Sequence, residues 1–62
     1  MAQPQTAAPR MLTPVSVAAR LAVSIKTVRR AIKAGELHAY QFGRLYRIAE
    51  EDLILYAARR RK

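Results

Sequence analysis

The sequence contains no cysteine and only one histidine, His38. Neither a disulfide framework nor a thiolate metal site can therefore support the fold, and a lone imidazole cannot assemble a zinc site. Acidic residues are scarce too. Four Asp and Glu stand against twelve Lys and Arg, which gives a formal net charge of +8 and an isoelectric point near 11.2. Such a surplus favours a polyanionic partner, nucleic acid first and an anionic membrane surface second. Long apolar runs are also missing. Nothing approaches the roughly 20 residues of a membrane span, and Met1 to Pro9 lacks the apolar stretch of a signal peptide, so a soluble cytoplasmic chain is expected. Its 62 residues fit one domain with a small core.

Met1 to Arg10 is rich in Ala, Gln and Pro without periodicity and reads as a disordered tail. Residues 11–58 form the expected folded domain, followed by a basic tail over 59–62. Thr13 offers a hydroxyl N-cap and Pro14 suits the first helical position, where a missing N–H costs nothing, so a first helix is expected over Pro14 to Leu21. Stepping about 100° per residue collects Val17, Ala18 and Leu21 on one face and Ser16 and Arg20 on another. After a turn at Ala22-Val23, Ser24 supplies a second N-cap. Helical spacing then continues until Gly35, a residue that tolerates the positive φ of a helix end, which bounds a second helix over Ile25 to Ala34.

The second helix is divided by chemistry. Val28, Ala31 and Ile32 share one arc, while Lys26, Arg29, Arg30 and Lys33 share the opposite one with no acid among them. Like charges at (i, i+3) and (i, i+4) oppose helix stability by a few tenths of a kcal/mol per pair, which points to a functional reason for the arrangement. A solvated helix face is the bland alternative. Ile25 borders the basic arc and suits either a thymine methyl or the edge of the core.

Leu37 to Gln41 and Leu45 to Ile48 are short aromatic and aliphatic runs separated by Phe42-Gly43-Arg44, which predicts a small hairpin. Strict alternation places Tyr40 and Phe42 on one face with Tyr46 and Ile48, and leaves Gln41, Leu45 and Arg47 on the other. Tyr40, Phe42, Tyr46 and Tyr56 are on this reading core residues rather than stacking platforms. Glu50, Glu51 and Asp52 complement the positive end of a third helix, Leu53 to Ala58, which runs into Arg59, Arg60, Arg61 and Lys62. Leu53, Tyr56 and Ala57 suffice for its buried face. Ile54 and Leu55 are left partly off it and are candidates for a protomer contact in side-by-side assembly.

Two short helices joined by a tight turn, the second basic, make a helix-turn-helix whose second helix enters the major groove. The expected readers are Ile25, Lys26, Arg29, Arg30 and Lys33. Arg29 and Arg30 are favoured for base edges, because a guanidinium fork can donate two hydrogen bonds to guanine, whereas lysine is a mobile point charge suited to phosphate. Ser24 and Thr27 are expected to cap the helix or touch the DNA backbone. Arg44 at the hairpin tip and Arg47 on its outward face are candidates for a phosphate or a minor groove, and the tail from Arg59 to Lys62 either follows the backbone or is merely solvated. No second histidine or carboxylate pair accompanies His38, so it reads as a surface residue; no catalysis, metal or other cofactor is expected.

From Leu12 to Tyr56 the sequence resembles the excisionase-type, MerR-like winged helix-turn-helix proteins. The resemblance is carried by Leu12-Thr13, Val17-Ala18, Leu21, Val23-Ser24, Thr27-Val28, Arg30, Ile32, Gly35-Glu36-Leu37, Gly43-Arg44, Tyr46-Arg47-Ile48 and Glu51-Asp52-Leu53. It implies a mainly α fold with a small β-hairpin as wing. It further implies a bacterial or phage factor that binds and bends attachment-site DNA for a separate recombinase, or else a transcriptional regulator of the same fold. An RNA-binding or membrane-surface module is the distant alternative. Two departures from the pattern stand out. Ala22 occupies a turn position often held by glycine, which costs about 1 kcal/mol if φ is positive there. Val15 and Ser16 replace the acids common after Thr13, which lessens repulsion of nearby phosphates.

Overall fold

The computed structural model describes residues 10–62; of the tail expected over Met1 to Arg10, only Arg10 lies within the described residues, and it is held by Glu50. Three helices surround a small antiparallel sheet: β1 (Met11–Leu12), α1 (Pro14–Leu21), α2 (Ile25–Lys33), β2 (Tyr40–Phe42), β3 (Leu45–Ala49) and α3 (Glu50–Arg59). This is the expected mainly α architecture with a β-hairpin wing. The strand order is β1-β3-β2, so β3 is central. β1 has no counterpart in the sequence reading. Its two residues pair Met11 with Ala49 and Leu12 with Ile48, and the Arg10 carbonyl accepts a hydrogen bond from the Glu50 N–H at 2.9 Å.

Local chemistry sets the ends of the first two helices. The Thr13 hydroxyl accepts from the Ser16 N–H at 3.0 Å and the Ser24 hydroxyl accepts from the Thr27 N–H at 3.1 Å, each satisfying one orphan donor of a first turn. Both helices finish in the same motif. At the end of α2 the Glu36 N–H donates to the Ala31 carbonyl and the Gly35 N–H to that of Ile32, with Gly35 at φ 77°. At the end of α1 the Val23 N–H donates to Ala18 and the Ala22 N–H to Ala19, with Ala22 at φ 57°. These are paired Schellman bonds around a left-handed residue. The second helix stops at Lys33, one residue earlier than expected, because Ala34 is already the cap that leads into Gly35.

The core is small and entirely apolar. Val17 and Ala18 of α1, Val28 and Ala31 of α2, Leu37, Ile48 of β3 and Leu53 of α3 form one cluster, with Leu12, Leu21, Ile32, Ala39 and Tyr56 packed against it. The expected inner faces of the first two helices are thus the observed ones. Leu37 is 1% exposed, yet it lies outside any strand: the first hairpin strand begins at Tyr40, not Leu37. Leu37 is buried because the chain leaving Gly35 folds under α2, its N–H bonded back to the Ala31 carbonyl at 3.2 Å.

The hairpin register differs from the expectation, and the difference has one cause. Phe42 belongs to the strand, so the loop is two residues, Gly43-Arg44, and Phe42 pairs with Leu45, Gln41 with Tyr46 and Tyr40 with Arg47. Directly opposed residues share a face, and a slip of one residue exchanges the faces. Tyr40 and Phe42 therefore lie with Leu45 and Arg47, not with Tyr46 and Ile48. Their exposures, 43% and 56%, exclude them from the core, and Tyr46, also expected there, is only half-buried and stands outside the core cluster. A positive φ of 64° at Gly43 followed by an ordinary negative φ at Arg44 is the sign pattern of a type II′ turn, whose twist suits a two-residue hairpin.

The third helix begins at Glu50, three residues before Leu53, and continues to Arg59. It has no side-chain cap; Glu50, Glu51 and Asp52 in its first turn provide the negative charge that its dipole favours. Leu53 is buried and Tyr56 half-buried, but Ala57 is exposed and lines the rim of an open groove of about 460 Å³ between α3 and the α1–α2 turn.

Candidate nucleic-acid interface

The α2 helix presents two faces that its neighbours make unequal. Val28 and Ala31 are anchored in the core, and this fixes the rotation of the helix so that Lys26, Arg29, Arg30 and Lys33 all point to solvent. The four lie within about 100° of arc around the axis. Ile25, 39% exposed, sits at the edge of that arc. Ser24 and Thr27 are occupied by the helix start itself, their hydroxyls 3.0 Å apart and the Ser24 oxygen bound to the Thr27 N–H.

The distribution of carboxylates sharpens this face. Among the described residues, ion pairs join Glu50 to Arg20 at 2.9 Å and to Arg10 at 3.9 Å, and Glu36 to Arg60. None involves Lys26, Arg29, Arg30, Lys33 or Arg44. Glu50 instead ties Arg10, just before β1, and the last turn of α1 to the start of α3, on elements other than the basic helix. The cations of α2 and of the hairpin tip thus face solvent unneutralised, and an anionic ligand can approach them without displacing an internal partner.

The wing adds a second cationic point. Arg44 is exposed at the turn, beside a glycine with open space around it. Arg47 is half-buried and donates to the Tyr46 carbonyl at 2.7 Å, so its guanidinium is held along the strand rather than extended. His38 is exposed and meets Tyr40 edge to face, with ring centroids 5.3 Å apart.

The expected basic tail is divided. Arg59 is the last residue of α3, and Arg61 and Lys62 are exposed beyond it. Arg60 is held differently: its guanidinium lies over the Tyr56 ring, 4.7 Å from the centroid, and donates to Glu36. Its pKa is raised, first by the Tyr56 hydroxyl and then by the Glu36 carboxylate, so it is charged throughout the physiological range. This residue fastens the end of α3 to the loop after α2. Sequence reasoning missed that link, since Glu36 and Arg60 are 24 positions apart.

Ile54 and Leu55 are exposed, at 62% and 51%. They stand on the outer side of α3, adjacent in sequence and clear of the core.

Two short helices locked at a tight turn, the second outwardly basic and followed by a β-hairpin, define a winged helix-turn-helix of the DNA-binding class. Residues 11–61 match the family model described as a helix-turn-helix domain, and the chain belongs to that family. No curated protein and no solved structure gives a significant match. Among the described residues, no helix is long and apolar enough to cross a membrane.

Proposed function

We propose that this DNA-binding protein is an excisionase-type recombination directionality factor, which binds and bends attachment-site DNA so that a separate site-specific recombinase runs in the excision direction. The observation that carries the DNA contact is the unneutralised arc of Lys26, Arg29, Arg30 and Lys33 on a helix whose rotation is fixed by Val28 and Ala31. In this reading α2 lies in the major groove, Arg29 and Arg30 meet base edges, and Lys26 and Lys33 meet phosphates. Arg44 reaches the flanking backbone or minor groove, and Arg59, Arg61 and Lys62 follow the phosphates. The protein catalyses nothing; its contribution is the shape it imposes on DNA. It acts on bacterial or phage DNA in the cytoplasm.

Exposed Ile54 and Leu55 support side-by-side assembly on repeated sites, through a contact too small to hold copies together off DNA. Ile54→Glu and Leu55→Glu then abolish cooperative multi-copy binding in a gel-shift titration while leaving single-site affinity intact. Unchanged cooperativity removes that contact from the reading.

Arg29→Ala and Arg30→Ala are expected to cost roughly 1–3 kcal/mol each and to relax preference at particular base pairs, with Lys33→Ala weakening all sequences evenly. Equal affinity of all three variants for a selected duplex refutes the groove assignment. Genome-wide footprinting separates the role in recombination from transcriptional control. Sites inside an attachment region next to a recombinase gene support the former, and sites confined to promoters support a regulator of the same fold.

A further inference from the structure

The basic helix and Arg44 leave one exposed feature of the wing without a role. Tyr40, Phe42 and Leu45 share the outer face of the hairpin and are 43%, 56% and 55% exposed. Phe42 and Leu45 are directly opposed and flank the two-residue turn, so the tip of the wing is a pair of apolar side chains roughly 5 Å apart, led by Gly43 and Arg44. Exposing three large apolar groups on one small face is costly in water and calls for a partner.

Charge decides which partner. No acid occurs between Leu37 and Ala49, and the same hairpin carries Arg44 and Arg47. A second copy of this +8 chain docking here brings like charges together, whereas a minor groove offers negative potential and, between its base steps, apolar base faces that an inserted side chain can cover. We propose that Phe42 and Leu45 form a wedge that enters the minor groove beside the helix-turn-helix site, partly unstacks one base step and bends the duplex. The proposal rests on the DNA-binding reading of α2 and adds to it a source of the bend. Gly43 lets the backbone of the tip approach the groove floor, and exposed Arg44 flanks the wedge with a charge for the phosphate backbone. Tyr40, braced edge to face by His38, backs the wedge on the same face. Flexible pyrimidine–purine steps accept such insertion most cheaply, which makes the wing a reader of deformability rather than of base edges.

The probe is a duplex selected from a random pool by the full chain, end-labelled for energy transfer and carrying 2-aminopurine at each adenine in turn. Wild-type protein is expected to raise 2-aminopurine fluorescence severalfold at one step outside the major-groove contacts and to shorten the end-to-end distance. Phe42→Ser with Leu45→Ser, checked for an unchanged circular dichroism spectrum, is expected to lose both signals and to bind about tenfold more weakly. Phe42→Leu, which keeps an apolar tip, retains them and so covers the case in which the double variant unfolds. A mismatch at the signalling step, which lowers the unstacking cost, should tighten wild-type binding and leave the double variant unaffected. If wild-type protein binds the selected duplex with no unstacking, or the folded double variant keeps the bend, the wedge is refuted and the helix reading stands. If no duplex is selected at all, the DNA-binding reading fails and takes the wedge with it.

Discussion

Replacing Ala22 by glycine should stabilise the protein, although it removes a methyl group and adds no contact. Ala22 has φ 57° and ψ 43°, in the left-handed region, and is the one non-glycine residue with positive φ among those described. That conformation costs an L-residue roughly 1–2 kcal/mol because Cβ crowds the carbonyl oxygen. Glycine removes the crowding but gains unfolded-state freedom, which offsets about 0.4–1 kcal/mol. The methyl is exposed and the Schellman bonds run through backbone atoms, so nothing else is lost. A net gain of about 0.5–1 kcal/mol remains, and at roughly 4–8 °C per kcal/mol for a domain this small the melting temperature should rise by about 2–8 °C. Ala19→Gly is the matching control. Ala19 is an exposed residue within α1, so the same chemical change there should cost up to about 1 kcal/mol. Thermal melts followed by circular dichroism under identical conditions give both values. A lower melting temperature for Ala22→Gly would show that the turn does not hold the left-handed geometry in solution and that the helix-turn-helix angle is set otherwise.

Further expectations follow from the caps, the core and the wing. Ser24→Ala removes the acceptor for the Thr27 N–H and should cost about 1 kcal/mol in denaturant melts, loosening the start of the basic helix and weakening DNA binding with it. Ile48 is fully buried on the central strand, so Ile48→Ala should cost about 2–5 kcal/mol, comparable with the whole stability of a domain this size, and leave little folded protein by circular dichroism. Gly43→Ala meets no atom within 4 Å but must adopt φ 64°; the expected loss of about 1 kcal/mol should appear as faster amide exchange in β2 and β3, with the helices unaffected. Arg60→Ala releases the end of α3 from Glu36 and Tyr56 and should raise amide exchange in its last turn while leaving DNA affinity within twofold, since this guanidinium is already engaged.

The boundaries of α1, the start of α2 and the two faces of α2 were legible because the interactions that set them act within four residues: hydroxyl to N–H at three positions' separation, paired carbonyl bonds around Gly35, and a repeat that rotates side chains by a constant angle; α3, which has no side-chain cap, starts three residues before the expected Leu53. The strain at Ala22 was legible only through the resemblance, in which glycine often holds that turn position. Hairpin faces were not, because the assignment depended on whether Phe42 belonged to the loop or the strand. One residue of register turns Tyr40 and Phe42 from core to surface, and neither hydrophobicity nor alternation distinguishes the two registers. A two-residue Gly43-Arg44 loop was the available signal.

By itself, the sequence determined that this is a small, cysteine-free, strongly basic chain with two capped helices and a second helix divided into an apolar and a cationic half. Only the tertiary structure decided which charges are free and which apolar groups are exposed. The Glu50 links to Arg10 and Arg20 and the Glu36 link to Arg60 join residues far apart in the chain. Their existence depends on how the helices pack around β3, because local propensity is blind to partners that only folding brings together. That packing commits Glu50 and Glu36 to Arg10, Arg20 and Arg60, leaves the cations of α2 and the wing tip without ion pairs, and so turns a basic composition into an oriented surface for DNA.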